Sequence, residues 1–355
     1  MNATSASSAT KVAVTAPAGT AGRTRVDGID LLRGIAVGLV MLRHAWPDLF
    51  PGAGVVGVVM FFALSGHLIT GLLLDELART GGVDLARFYR RRAERLVPAL
   101  LVLMVAVAAV TLILDPLGDR EELGRTLVVA LTWTANLPFD QGSDATFHLW
   151  TLATEEQFYL VWPAVLVLAA TRGRIGTALV IASTACLVAA ALTLLWLAED
   201  PDLAYGLPTS WALCFVIGAG SRVLADRWPG RTGLVVSSLV LLGLLSVIPL
   251  RGHALTYLAG GPAIAALTAL VLLQWRTWIE VTHPVGRTLV LLGTVSYAAY
   301  LWNYPLTLWL RPGLDGWAGP VAALGTVLAA ALSWRLVERP LRDRRAHRAA
   351  MAVPA

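Results

Sequence analysis

The chain has 355 residues, of which 57% are apolar and 14% charged, and its mean hydropathy is +0.68. A soluble domain is nearer one-quarter charged, so this composition argues against an ordinary water-soluble globule. The net charge of +5 is almost all arginine, because Lys11 is the only lysine. These arginines sit at the ends of apolar runs, which speaks for membrane topology rather than nucleic-acid binding.

Residues 1–27 are rich in Ala, Ser and Thr and are expected to form a disordered cytoplasmic tail. Arg23 and Arg25 precede the first apolar run as in a signal peptide, but no small-residue cleavage site follows Trp46. The first run is therefore read as a retained span. Ten runs are long enough to cross a hydrocarbon core of about 30 Å. They cover 29–46, 54–75, 95–114, 148–169, 175–197, 208–225, 233–250, 254–275, 287–310 and 318–337. The apolar stretch 123–137 is short and interrupted, and is expected to be interfacial or re-entrant. The predicted fold is an all-α polytopic transmembrane bundle over 28–340, followed by a basic cytoplasmic tail at 341–355.

Charge placement tests this layout. Segments assigned to the inside carry 22 Lys and Arg, and those assigned to the outside carry 4, namely Arg120, Arg125, Arg251 and Arg311. That bias predicts both termini in the cytoplasm. Cys186 and Cys214 lie within apolar runs without metal-ligand spacing, and no metal is expected.

Ionisable residues within spans are costly and default to functional candidates. Arg33 and His44 lie eleven residues apart, on nearly one face of the first helix and about 16 Å apart along it. Taken singly, Arg33 also reads as a snorkelling arginine and His44 as an interfacial histidine. His148, Glu155 and Tyr159 share a face at the start of the fourth span, with Glu156 offset by about 80°. Two adjacent carboxylates entering an apolar span are hard to explain as structure. A carboxylate that orients an imidazole is a general-base arrangement, so His44 and Glu155 are expected to meet in the outer half.

The run Arg87-Phe-Tyr-Arg90-Arg91-Arg92-Ala-Glu-Arg95-Leu-Val-Pro98 is adequately explained by topology alone, and its functional reading is a clamp for a phosphorylated donor. In Ser296-Tyr297-Ala-Ala-Tyr300-Leu-Trp302-Asn303-Tyr304-Pro305, the aromatics suit an interfacial belt. Asn303 is deeper than a belt requires, and can bond a substrate or, with slight preference, another helix. His67, in Phe61-Phe-Ala-Leu-Ser65-Gly66-His67, reads as a satisfied core histidine.

These blocks, in this order, resemble the acyltransferase family 3 membrane proteins. The resemblance covers roughly 27–340 and rests on five blocks: Gly28-Ile-Asp30-Leu-Leu-Arg33-Gly34-Ile-Ala36; the Arg33/His44 spacing; Phe61-Phe-Ala-Leu-Ser65-Gly66; Arg91-Arg92-Ala-Glu-Arg95-Leu-Val-Pro98; and His148-Leu-Trp-Thr-Leu-Ala-Thr-Glu155-Glu156-Gln-Phe-Tyr159. The segment around Tyr297 and Trp302 is similar as well. The sequence departs from the family at Asn303, commonly His, at His67, commonly aromatic, and at Thr151, commonly Ser.

The resemblance implies an O-acyltransferase of the cell membrane that moves an acyl group from acyl-CoA, with acetyl-CoA favoured, to a hydroxyl of a glycan, lipid-linked sugar or natural product. Arg33, Arg91, Arg92 and Arg95 would hold the CoA phosphates. His44 would be the general base, with Glu155, Glu156 and His148 around it. Tyr159, Trp302 and Asn303 are candidate substrate contacts. An acyl-enzyme on Ser or Thr is a variant of this scheme. No bound cofactor, metal or nucleic acid is expected. Some relatives carry a hydrolase-like domain after the last span, and here transfer is expected to be completed by the membrane domain. The rival readings are a transporter or flippase using a His/Glu relay, and, more weakly, a scaffold.

Overall fold

The computed structural model describes residues 26–137, 142–341 and 343. The expected tails at 1–27 and 341–355, with Lys11, Arg23, Arg25 and His347, lie outside them apart from Val26, Asp27, Leu341 and Asp343.

Among the described residues the chain is helical throughout. The helices are α1 (Asp27–Ala45), α2 (Ala53–Thr80), α3 (Leu85–Ile113), α4 (Leu123–Leu131), α5 (Trp150–Thr171) and α6 (Ile175–Trp196). They continue as α7 (Pro208–Leu224), α8 (Thr232–Ser246), α9 (Gly261–Trp275), α10 (Pro284–Thr294), α11 (Ser296–Leu314) and α12 (Ala318–Ser333). Each predicted span falls on helix. The run 287–310 is an exception to continuity, because it is two helices, α10 and α11, broken at Val295. The 123–137 stretch forms only the nine-residue α4. Among the described residues, five segments are long and apolar enough to cross a membrane: Ala53–Thr80, Leu85–Ile113, Ile175–Trp196, Thr256–Trp275 and Ser296–Leu341.

Local chemistry sets several boundaries. Asp84 caps α3 by accepting from the backbone N–H of Arg87 at 2.9 Å. Gly81 ends α2 in the left-handed conformation, φ 74°. The result is a tight turn that brings the arginine-rich first half of α3 back against the bundle.

α2 is the central rod and packs against α1, α5, α7 and α9. Its approach to α7 depends on Gly66, where a Cβ would collide with the Phe215 carbonyl. Gly34 does the same for α1 against α10, where a Cβ would strike the Leu289 carbonyl. Small residues allow backbones to meet where apolar burial gives no drive, as in lipid. The periphery is apolar: Val105, Ile113, Ile181, Leu192, Leu324 and Leu328 are all exposed. A surface of that kind suits hydrocarbon rather than water.

Candidate active site

Two polar centres lie within the bundle, and α11 serves both. The first is a cavity of about 140 Å³ between α1, α2, α3, α5 and α11. Its polar lining includes Arg33, Ser65, Arg92, Arg95, Glu155 and Tyr297, and its walls include Phe61, Phe62, Leu64 and Tyr300. Glu155 accepts a hydrogen bond from Ser65 Oγ at 2.6 Å and faces Arg92 Nη2 at 3.7 Å. Arg92 Nε donates to Glu156 Oε1 at 2.8 Å, and its guanidinium lies 3.4 Å from the Tyr159 ring centroid. A single arginine thus balances both carboxylates and stacks on an aromatic face, a role its planar fork suits.

Arg33 comes from the first turns of α1, where Asp30 sits 3.9 Å from its guanidinium. Arg95 is exposed and lines the same cavity one turn beyond Arg92. Arg91 is exposed and is not among the cavity residues. Of the four predicted donor-binding arginines, the structure therefore brings Arg33, Arg92 and Arg95 together, with Arg92 committed to the glutamates.

A proline in α5 accounts for a further tie. Pro163 has no N–H to give the Tyr159 carbonyl one turn back. Tyr89 of α3 donates its hydroxyl to that carbonyl at 3.1 Å, so α3 and α5 are held in register beside the cavity.

The second centre is built around His44. Its Nδ1 lies 2.6 Å from Asn303 Oδ1. The amide orientation follows from the next bonds. Thr326 Oγ1 spends its proton on the Ala322 carbonyl at 2.7 Å, so it accepts from Asn303 Nδ2 at 3.1 Å. Asn303 must then present its carbonyl oxygen to His44, and His44 Nδ1 must carry the proton. Nε2 of His44 is left with its lone pair, as a general base needs.

This corrects the expected pairing. Glu155 does not orient the imidazole of His44. It is bonded to Ser65 and Arg92 in the cavity, while Asn303 holds His44. Asn303 is therefore a helix-to-helix contact that also sets a tautomer.

His148 is placed by a second proline effect and lies in the short 3-10 turn Asp144–Leu149, ahead of α5. Pro305 leaves the Leu301 carbonyl without its helical donor. His148 Nε2 donates to that carbonyl at 3.2 Å. Both histidine rings pack on Tyr304, at 5.1 Å for His44 and 5.3 Å for His148. His148 is thus a strut between the turn Asp144–Leu149 and α11, beside His44. Trp302 lies outside the cavity lining, and its indole Nε1 is buried without a hydrogen-bond partner.

Beyond His148 the end of the bundle is aromatic. Phe147 and Tyr205 lie nearly parallel with centroids 6.4 Å apart, and Phe147 is also 6.4 Å from Tyr304. Arg251, in the loop after α8, lies 4.6 Å from the Tyr205 centroid and is gripped by Asp202 through 2.7 and 2.8 Å bonds. Burial pushes the Tyr205 phenol up to about 12, so it stays protonated and uncharged. His67 is a core histidine, as expected, bonded to Ser221 at 2.8 Å.

Sequence reasoning missed Ser65 and Tyr300. The signal for Tyr300 was present: Tyr297, Tyr300, Asn303 and Tyr304 recur at helical spacing on one face of α11.

A membrane-type helical bundle with a cationic, carboxylate-bearing cavity at one level and a tautomer-fixed histidine at another has the parts of a group-transfer enzyme. The acyltransferase family 3 model, described as an acyltransferase domain, matches residues 26–338, and the chain belongs to that family. It is similar to O-acetyltransferase OatA of Staphylococcus aureus strain NCTC 8325, 27% identical over 355 residues covering 90% of this chain and 57% of that protein. It is also similar to peptidoglycan O-acetyltransferase OatA of Listeria monocytogenes, 28% identical over 362 residues covering 90% and 56%. The chain thus spans a little over half the length of these relatives. No solved structure matches it.

Proposed function

We propose that this chain is an O-acyltransferase of the cytoplasmic membrane, crossing it ten times with both termini inside, that transfers an acyl group from acyl-CoA to a hydroxyl of a glycan acceptor. The observation that carries the reading is the bond chain from Ala322 through Thr326 and Asn303 to His44, which leaves Nε2 as a base in an apolar bundle. The surrounding side chains support a placement for the donor. The CoA phosphates meet Arg33 and Arg95 at the cytoplasmic mouth, with Arg91 on the adjoining surface. The pantetheine arm lies in the cavity, and the thioester stands near Glu155 and the Ser65 hydroxyl that Glu155 holds.

His44 Nε2 takes the proton of the acceptor hydroxyl as its oxygen attacks the thioester carbon. The carbon–sulfur bond breaks, the proton returns to the departing sulfur, and an ester and free CoA result. The name of the Listeria relative supports a peptidoglycan-like glycan as acceptor.

The test uses purified protein in lipid vesicles with labelled acetyl-CoA and a muropeptide acceptor, scored by free thiol and by ester product. His44→Ala should be folded and inactive. Near-normal turnover in that variant would overturn the assignment. Movement of intact acceptor without CoA release would support a transporter instead.

A further inference from the structure

The cavity and the His44 centre meet at one side chain. Tyr300 lines the cavity, with its ring edge-on to Phe61 at 6.3 Å. The same ring lies 5.5 Å from His148, which shares Tyr304 with His44. Tyr300 is therefore a wall of the cavity that also borders the His44 centre.

That wall is clasped. The Tyr300 hydroxyl lies 3.0 Å from the His148 carbonyl and 2.7 Å from Thr151 Oγ1. Thr151 Oγ1 also lies 3.1 Å from the same carbonyl, so three oxygens form one closed set. Each hydroxyl has one proton to give, and the set leaves neither hydroxyl unmatched. Only 8% of the Tyr300 surface is exposed. Swinging the ring aside would strand buried polar groups, which is expensive in an apolar interior. The cavity wall at Phe62 is held as well, because Phe62 stacks on Phe215 at 4.5 Å and meets Trp150 at 6.1 Å. Packed interiors feel the addition of a single methylene.

We infer that Tyr300, clasped by Thr151 and the His148 carbonyl, bounds the donor cavity where the acyl tail ends, leaving the thioester carbon open to the hydroxyl brought by His44, and restricts the donor to the shortest acyl groups. The inference rests on the acyl-CoA reading above. A donor anchored by its phosphates at Arg33 and Arg95 points its acyl end at the Tyr300 ring. Acetyl stops short of the ring, whereas each further methylene has to displace it. A pocket of this kind discriminates about 10- to 200-fold per methylene.

The experiment compares kcat/KM for acetyl-, propionyl- and butyryl-CoA in vesicles, by thiol release, for wild type, Tyr300→Phe, Tyr300→Leu and Tyr300→Ala. Wild type should prefer acetyl-CoA strongly, and Tyr300→Phe, which keeps the ring but loses the clasp, should fall between wild type and the smaller variants. Tyr300→Ala and Tyr300→Leu should raise the butyryl-to-acetyl ratio at least about tenfold. Because a ratio within one preparation is read, a loss of folded protein does not imitate the effect. If a variant turns over too slowly, displacement of labelled acetyl-CoA by butyryl-CoA gives the same comparison from binding. An unchanged ratio in both small variants, or a wild type that uses butyryl-CoA as well as acetyl-CoA, overturns the inference and leaves the acyltransferase reading standing. A wild type that consumes no acyl-CoA overturns that reading itself.

Discussion

Replacing Asn303 with Leu keeps the volume of the side chain and removes the oxygen 2.6 Å from His44 Nδ1. The Thr326 hydroxyl keeps its bond to the Ala322 carbonyl, so the damage is confined to the imidazole. A buried N–H left without an acceptor costs about 1–3 kcal/mol. At 1.36 kcal/mol per factor of ten, that is roughly a 5- to 150-fold loss if the cost falls on the reacting tautomer. The loss should appear in kcat, while KM for acyl-CoA stays near wild type, because Asn303 is not among the residues lining the donor cavity. A second perturbation isolates the tautomer argument. Thr326→Val removes the acceptor that orients the amide, so the amide can turn its NH₂ toward His44 and favour the wrong tautomer. Its kcat should fall too, although Thr326 is two bonds removed from the imidazole. In the double variant the losses should not add, because one chain carries both effects. The assay is thiol release from acyl-CoA in vesicles, with ester product counted by mass spectrometry. Unchanged kcat in Asn303→Leu, or fully additive losses, would refute the reasoning.

Four further outcomes follow from other contacts. Arg95→Gln should raise KM for acyl-CoA several-fold and leave kcat nearly unchanged, and the penalty should shrink with a donor lacking the 3′-phosphate; a kcat defect at unchanged KM would contradict the clamp. Arg92→Lys should lose activity as Ala does, since an ammonium cannot both stack on Tyr159 and serve Glu155 and Glu156. Gly66→Ala should destabilise the protein by about 1–3 kcal/mol in thermal unfolding in detergent, whereas Gly38→Ala should be neutral or stabilise by up to about 1 kcal/mol, because nothing lies within 4 Å of a Cβ there. His148→Leu should lower thermal stability, and Pro305→Ala should recover part of the loss by giving the Leu301 carbonyl a helical N–H; full additivity of the two changes would show that the strut is not the reason for His148.

The sequence made the helices legible because apolar runs and their arginine borders follow directly from the solvent they face. The break at Val295 was not legible, since Gly293 and Thr294 are too mild a signal to interrupt an apolar run. For the site, helical periodicity gave faces, since Arg33 and Glu155 do line one cavity and His44 and His148 do both pack on Tyr304, but it set Glu155 at the depth of His44, whereas Glu155 lies with Arg33 and Arg92. Periodicity cannot say which helix stands opposite. His44 and Glu155, polar residues on different helices, were therefore paired, although α11 stands against α1 beside His44 and offers Asn303. Pro305 carried a usable clue, because a proline within a helix leaves a carbonyl needing a donor from elsewhere. The same reasoning applied to Pro163 points to a partner such as Tyr89.

Departures from the family pattern gain a physical meaning from these contacts. A histidine at position 303 would have to act as acceptor toward His44 through a ring nitrogen, and its own tautomer would need fixing by a third group. An amide carries acceptor and donor on opposite arms, so Thr326 alone decides which arm faces His44. At position 151 both Ser and Thr supply the hydroxyl that clasps Tyr300, and threonine adds a methyl that limits its rotamers on a helix. Both substitutions replace an adjustable group by a more determined one. They act on His44 and on Tyr300, which in the proposed mechanism are the base and the residue that bounds the donor's acyl end.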